Sequence, residues 1–257
     1  MNRKRTNTWA VIPMVLAIAC GALAILWPHW RRELGAGTYI DLDPFLCYKT
    51  KKVEQLISVT LSDWFDTGTF EGNVSTAFCA PADLPDDDMD LQDPDTHLMV
   101  YKVKGPHAPQ TGVRVDNLFG SFLFDTKKTD TLMVPTAKSI SPEPPPGQPD
   151  PLSEVDHYRC LKVKPTRRAE KFPKGLVVEV DDQFGSRVVL IKKPSKLCLA
   201  TDKNGEGIKN VYVHLMCYKV KADPRTSATG VQVNNQFSPA VLDLKKEYEL
   251  CLPSWAY

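Results

Sequence analysis

Apolar and polar residues alternate along four short runs between Tyr158 and Leu199: Tyr158–Val163, Leu176–Val180, Arg187–Ile191 and Lys196–Leu199. A period of two is the signature of strands with one buried face. Asp-Asp-Gln-Phe-Gly185 and Lys-Lys-Pro-Ser195 supply turn chemistry between them. The same arrangement occurs four times along the chain. Phe65, Phe119, Phe184 and Phe237 each follow a Val-x-Val or Val-x-Leu stretch, and each stands 14 residues before Cys79, Met133, Cys198 or Cys251. Upstream lies a second fixed block, Cys47-Tyr-Lys-Thr-Lys51, Val100-Tyr-Lys-Val-Lys104, Cys160-Leu-Lys-Val-Lys164 and Cys217-Tyr-Lys-Val-Lys221. No body segment of ten or more residues carries a 3.6-residue period. The expected fold is all-β, built of four tandem four-stranded repeats.

A unit of about 40 residues is too small to bury a core alone. The proline-rich stretch Ser139–Pro151 blocks strand and helix and reads as a semi-rigid spacer. Together these predict two domains, each a β-barrel or sandwich with an internal pseudo-twofold: residues 44–138 (repeats one and two) and 157–255 (repeats three and four), joined by a linker over 139–156. Within a repeat the distance from first cysteine position to phenylalanine varies from 18 to 24 residues, so insertions fall in that loop. The invariant 14-residue piece predicts a rigid unit, with each Phe buried on the Tyr or Leu that follows the first cysteine position.

Charge changes the picture at the N-terminus. The formal net charge is +1, but Arg3, Lys4, Arg5, Arg31 and Arg32 precede the body, which is then acidic on balance. An acidic body argues against nucleic acid as a partner. The uncharged run Trp9–Trp27 is 19 residues long and follows Arg3-Lys-Arg5. Residues 1–32 therefore read as a signal peptide, with Ala22-Leu-Ala24 as a cleavage site, or as an uncleaved membrane anchor. Either places the body outside the cytoplasm, secreted, periplasmic or anchored facing out. Membrane contact is expected only through this segment, if it is retained.

Six cysteines beyond Cys20 fall one pair per repeat, and the second repeat lacks both, with Val100 and Met133 in their places. Joint absence predicts the disulfides Cys47–Cys79, Cys160–Cys198 and Cys217–Cys251. On the chain-entropy estimate, each closed loop stabilises its unit by roughly 3–4 kcal/mol. Spacing for a metal site is lacking.

Lys49, Lys102, Lys162 and Lys219 stand two residues after the first cysteine position. Alternation puts them on the cysteine-bearing face, expected to be the outer one, away from the main core. They form a candidate basic stripe for anionic glycan or lipid head groups, or a solvated face that discourages edge association. Asx residues before each Phe, and Asp86–Asp88 with Asp90 in the acidic connector, could ligate calcium; the former also suit a tight turn. His97, His157 and His214, each three residues before a first cysteine position, imply a structural duty. Nucleophile, zinc-hydrolase, dinucleotide and P-loop patterns are lacking, so no catalytic, cofactor or metal residue is assigned.

The composite CYKVK…VxVxDQFG…LCxP resembles a repeat of uncharacterised, exported bacterial β-repeat proteins. The similarity spans about residues 45–254, and the first repeat departs most, with Trp64-Phe65-Asp66 in place of Gln-Phe-Gly. It implies export and a disulfide-linked β-domain, and carries no activity. The expected function is a non-enzymatic, exported or cell-surface structural or adhesive module, with an envelope glycan or surface protein as partner. The competing class is an extracytoplasmic hydrolase with its site between paired repeats.

Overall fold

A computed structural model describes residues 42–84, 91–140 and 143–257. The N-terminal segment and the Asp86–Asp88 and Asp90 calcium candidates lie outside the described residues. The described chain is all-β, and its strands form one large antiparallel sheet: β1 (Phe45–Ser62), β2 (Thr67–Asp83), β3 (His97–Lys104), β4 (Val113–Asn117), β5 (Gly120–Ile140), β6 (Tyr158–Pro165), β7 (Val177–Asp182), β8 (Gly185–Ala200), β9 (Asp202–Lys203), β10 (His214–Asp223), β11 (Ala228–Asn234) and β12 (Ala240–Ala256). The third and fourth strands expected in a repeat are fused. The Lys-Lys-Pro-Ser195 turn is instead an irregularity within β8, whose pairing with β10 shifts register there. A bulge accommodates extra residues without ending the ladder, and it tolerates proline.

The long strands pair in sequence: β1 with β2, β2 with β3, β3 with β5, β5 with β6, β6 with β8, β8 with β10, β10 with β12, and β12 back to β1. This corrects the expected domain division. The second and third sequence repeats share a ladder, from Phe124↔Pro165 to Met133↔Tyr158, and all described residues fall in one compact unit. Nor is the proline segment a connector with few contacts. Gln148 donates to Asn234 and to the Asn235 carbonyl, Asn234 donates to the Pro146 carbonyl, and Ser153 donates to Asp93. Proline lacks a donor but keeps its acceptor, so side-chain amides of neighbouring strands can still hold it.

Side chains on the cysteine face of all eight circuit strands meet in one buried cluster with Leu42, Phe45, Leu98, Val155, Tyr158 and Leu215. The three disulfides join directly opposed residues, Cys47↔Cys79, Cys160↔Cys198 and Cys217↔Cys251, and Val100↔Met133 occupies the fourth place. Their Cα separations, 3.8–3.9 Å, are shorter than the usual 4.4–6.8 Å. The expectation that this face lies outside a main core is corrected, since every bridged cysteine is 0% exposed. Both faces are buried around the cysteines, which is why Leu46, Tyr48, Met99, Tyr101, Leu161, Met216 and Tyr218 pack in a second cluster on the opposite face.

That second cluster is closed by contacts between distant parts of the chain. Each Phe-bearing turn docks on an element two sequence repeats away: Asp182 of β7 opposite Ala82 of β2, Asp116 of β4 opposite Trp255 of β12, Asn234 of β11 opposite Ala137 of β5, and the end of β1 on β9. Asp63, Asn117, Asp182 and Asn235 each accept a hydrogen bond from the amide of the Phe two residues on, 2.8–3.0 Å. These Asx residues serve the turn, as short polar side chains do. Gly120 and Gly185, which follow Phe119 and Phe184, take positive φ values of 119° and 106° that a side chain would oppose.

The phenylalanines meet tyrosines as expected, but on another repeat. Phe184 packs edge-on against Tyr48, Phe237 against Tyr101 and Phe119 against Tyr218, with centroids 5.1–5.3 Å apart. All four phenylalanines are partly rather than fully buried. The histidines complete the joints between neighbouring repeats: His97 meets Gln183, His157 meets Gln236, and His214 stacks on Trp64, the residue that replaces Gln in the first repeat.

Candidate functional site: a lysine-lined mouth

Two hollows, about 100 Å³ beside Tyr158 and Val213 and about 330 Å³ beside Trp64 and Tyr257, gather at most one acid and one lysine each. Titratable groups converge elsewhere, one step along the strands from the disulfides. Alternation from the cysteine layer places Lys49, Lys102, Lys162 and Lys219 on the same face, as the sequence predicts. The strand circuit adds Ala77, Thr131, Lys196 and Glu249, each two residues before a second cysteine position. Lys162 stands directly opposite Lys196, and Lys219 opposite Glu249.

Two carboxylates serve these lysines. Asp130 is held by Lys102, by Lys162 at 3.4 Å and by Lys196 at 3.8 Å. Glu249, 0% exposed, is held by Lys219 at 2.8 Å and Lys196 at 3.0 Å, with the Ser195 hydroxyl donating at 2.9 Å. Burial works to raise both carboxyls, but the surrounding ammonium groups hold them below the ordinary carboxylate range. Tyr248 lies against the disulfide cluster, and the Lys49, Lys196 and Lys219 ammoniums sit 5.8, 5.8 and 4.9 Å from its ring centre. Cations over an aromatic face are stabilised by its quadrupole. Burial, followed by the neighbouring Glu249, pushes the Tyr248 hydroxyl well above its usual value, so it stays neutral.

Five ammonium groups thus share two carboxylates and one ring. Like charges directly opposed across strands are unfavourable unless something compensates them. The buried hydroxyl of Thr131 has no hydrogen-bond partner. Thr131 is opposite Lys102 in the ladder and so shares its face. This end of the strand circuit, the mouth, therefore offers excess positive charge and a spare donor, the chemistry that takes an anionic oxygen group. No cluster of His, Cys, Asp and Glu able to hold a metal ion occurs among the described residues.

The basic stripe was legible in the sequence; Lys196, Glu249 and Thr131 were legible by the same alternation counted back from the second cysteine position. Tyr248 was not, because an irregularity beside Tyr48 and Glu247 breaks the alternation there. The chain matches no protein-family model, no curated protein and no solved structure.

Proposed function

We propose that this is a barrel-like, four-repeat exported module, non-enzymatic and adhesive, which holds an anion-bearing surface ligand at the lysine-lined mouth. The observation that carries the reading is the meeting of Lys102, Lys162, Lys196 and Lys219 around only two carboxylates, with Lys49 beside them over the Tyr248 ring. Three buried disulfides suit an oxidising compartment outside the cytoplasm. The resemblance to exported bacterial β-repeats and the N-terminal leader or anchor support the same setting. An envelope glycan is then the natural source of anionic groups.

Binding of the full-length oxidised protein, in uncharged detergent, to polygalacturonate and to uncharged dextran tests this. Retention on the anionic polymer alone, weakened by Lys49→Gln with Lys162→Gln, is the expected result. Equal behaviour on both polymers refutes the reading.

A further inference from the structure

The chain contains four Lys-Lys dipeptides, Lys51-Lys52, Lys127-Lys128, Lys192-Lys193 and Lys245-Lys246. Every one falls where a ladder of the strand circuit slips register. In β1 against β2 the slip lies between Lys49 and Val53; in β5 against β6, between Thr126 and Thr129. In β10 against β8 the partners jump from Lys193 to Ile191, and in β1 against β12 from Glu247 to Leu244. All eight lysines are exposed. Bulged positions re-aim side chains away from the regular alternation, so both lysines of a pair can leave the strand on the solvent side.

These slips occur at one level, that of the mouth lysines. Lys245-Lys246 spans the stretch facing Lys49, and Lys193 is paired with Lys219. Between β5 and β6 the ladder runs from Thr126↔Val163 to Thr129↔Leu161, so Lys127-Lys128 faces Lys162. Lys51 also meets Asp243 at 3.1 Å, in an exposed contact. The rim so formed, on β1, β5, β8 and β12, borders the mouth with lysines that form no ion pair with Asp130 or Glu249.

We infer that the rim makes the ligand a polymer, an anionic glycan carrying repeated charges, laid across the mouth and gripped by the paired lysines around it. This rests on the reading of the mouth as an anion site. A single anionic group fills the mouth but leaves the eight rim lysines unused, whereas a chain engages both, and linked contacts multiply affinity through effective concentration. A glycan carries its charges on one covalent chain, as linked contacts require, whereas lipid head groups are separate molecules.

The test measures binding of the full-length oxidised protein, in uncharged detergent, to oligogalacturonates of increasing length. Affinity is expected to climb at least tenfold from the dimer to the polymer and to fall with added salt. The variant Lys127→Gln, Lys128→Gln, Lys192→Gln, Lys193→Gln is expected to lose that climb while keeping the wild-type affinity for the dimer. Its melting temperature should stay near wild type, since all four side chains are exposed. Dimer and polymer binding equally overturns the rim and leaves the mouth standing. Failure to bind either overturns both. Stronger binding to anionic lipid vesicles or to duplex DNA than to the polymer overturns the glycan.

Discussion

Two of the four turn corners carry Asp and two carry Asn, and the surroundings differ accordingly. At Asn117 the amide donates to the Tyr218 hydroxyl at 2.9 Å and to Ser254 at 3.0 Å; at Asn235 it donates to Tyr101 at 2.9 Å and to Thr136 at 3.1 Å. No charge is involved. At Asp63 the carboxylate is gripped by Arg159, which also pairs with Asp66 at 2.6 Å and lies over Phe70. At Asp182 it takes the Tyr48 hydroxyl and Arg187, which reaches on to Glu247 at 2.9 Å. One backbone turn thus tolerates either residue, but a buried carboxylate demands a buried cation, because an uncompensated charge in low dielectric is costly. Arg159 stands where other repeats have Leu46, Met99 and Met216. It also compensates for Leu161, which supplies no hydroxyl where the other repeats supply tyrosine.

The largest effect should break both kinds of corner together. His97, His157 and His214 are held neutral by burial, which lowers them from the usual 6.5 to about 4, 3 and 4. Geometry agrees for His214, whose Nδ1 accepts the Ala200 amide at 3.2 Å. The folded values are depressed, so their stability is fully present above pH 6.5 and is lost as pH falls toward 4. At about pH 5 each histidine costs about 2 kcal/mol. Asp182 has the opposite sign: burial raises its carboxyl, so its contribution falls as pH rises through the range just above the ordinary Asp value. Urea midpoints at neutral and acid pH check this; a midpoint that does not move between them rules it out. Asp182→Asn should remove the second trend and leave the first.

Next in size is a break confined to an Asp corner. Arg159→Met leaves the Asp63 carboxylate, with 0% side-chain exposure, without its cation, and should cost about 3–5 kcal/mol. Adding Asp63→Asn should recover most of that loss, because Asn still accepts the Phe65 amide and brings no charge. A double variant no more stable than the single one would show that Arg159 acts through packing on Phe70 instead. Denaturant unfolding of both proteins decides between these.

Phe237→Ala sharpens the comparison at a neutral corner. Phe237 is only partly buried, so the loss should be about 2–3 kcal/mol, below the 3–5 kcal/mol of a fully buried phenylalanine. A thermal melt within error of wild type would remove the Phe237–Tyr101 contact from the stability of the fold.

The cysteine pairing was legible because both partners vanish together in the second repeat, and opposed residues are lost or kept as a pair. The contact of Phe with the Tyr after a cysteine was legible as a pairing of residue types. Which tyrosine was not, because alternation assigns a face but no partner strand, and the crossing to a repeat two away exists only once the circuit of ladders is in place. The proline segment misled for a related reason: proline rules out a strand there, but not side-chain donors from β11. Arg159 had a readable signal, a charge at a position of Leu and Met beside an Asp-bearing turn elsewhere in the chain.

The smallest effect belongs to Lys49, and it separates charges the fold requires from charges it merely carries. Arg159 and Arg187 are buried and paired; Lys49 is exposed, contacts the Tyr248 ring at 5.8 Å, and forms no ion pair with either mouth carboxylate. Removing it leaves no buried carboxylate unpaired and relieves repulsion from Lys196 and Lys219 near the same ring. Lys49→Gln should therefore change stability by no more than about 0.5 kcal/mol, the range of exposed sites. Polygalacturonate binding should nonetheless weaken, because the excess positive charge of the mouth is what the ligand neutralises. A loss of stability comparable to that of Arg159→Met would mean that Lys49 is a structural partner like the buried arginines, and that the mouth is balanced rather than charged.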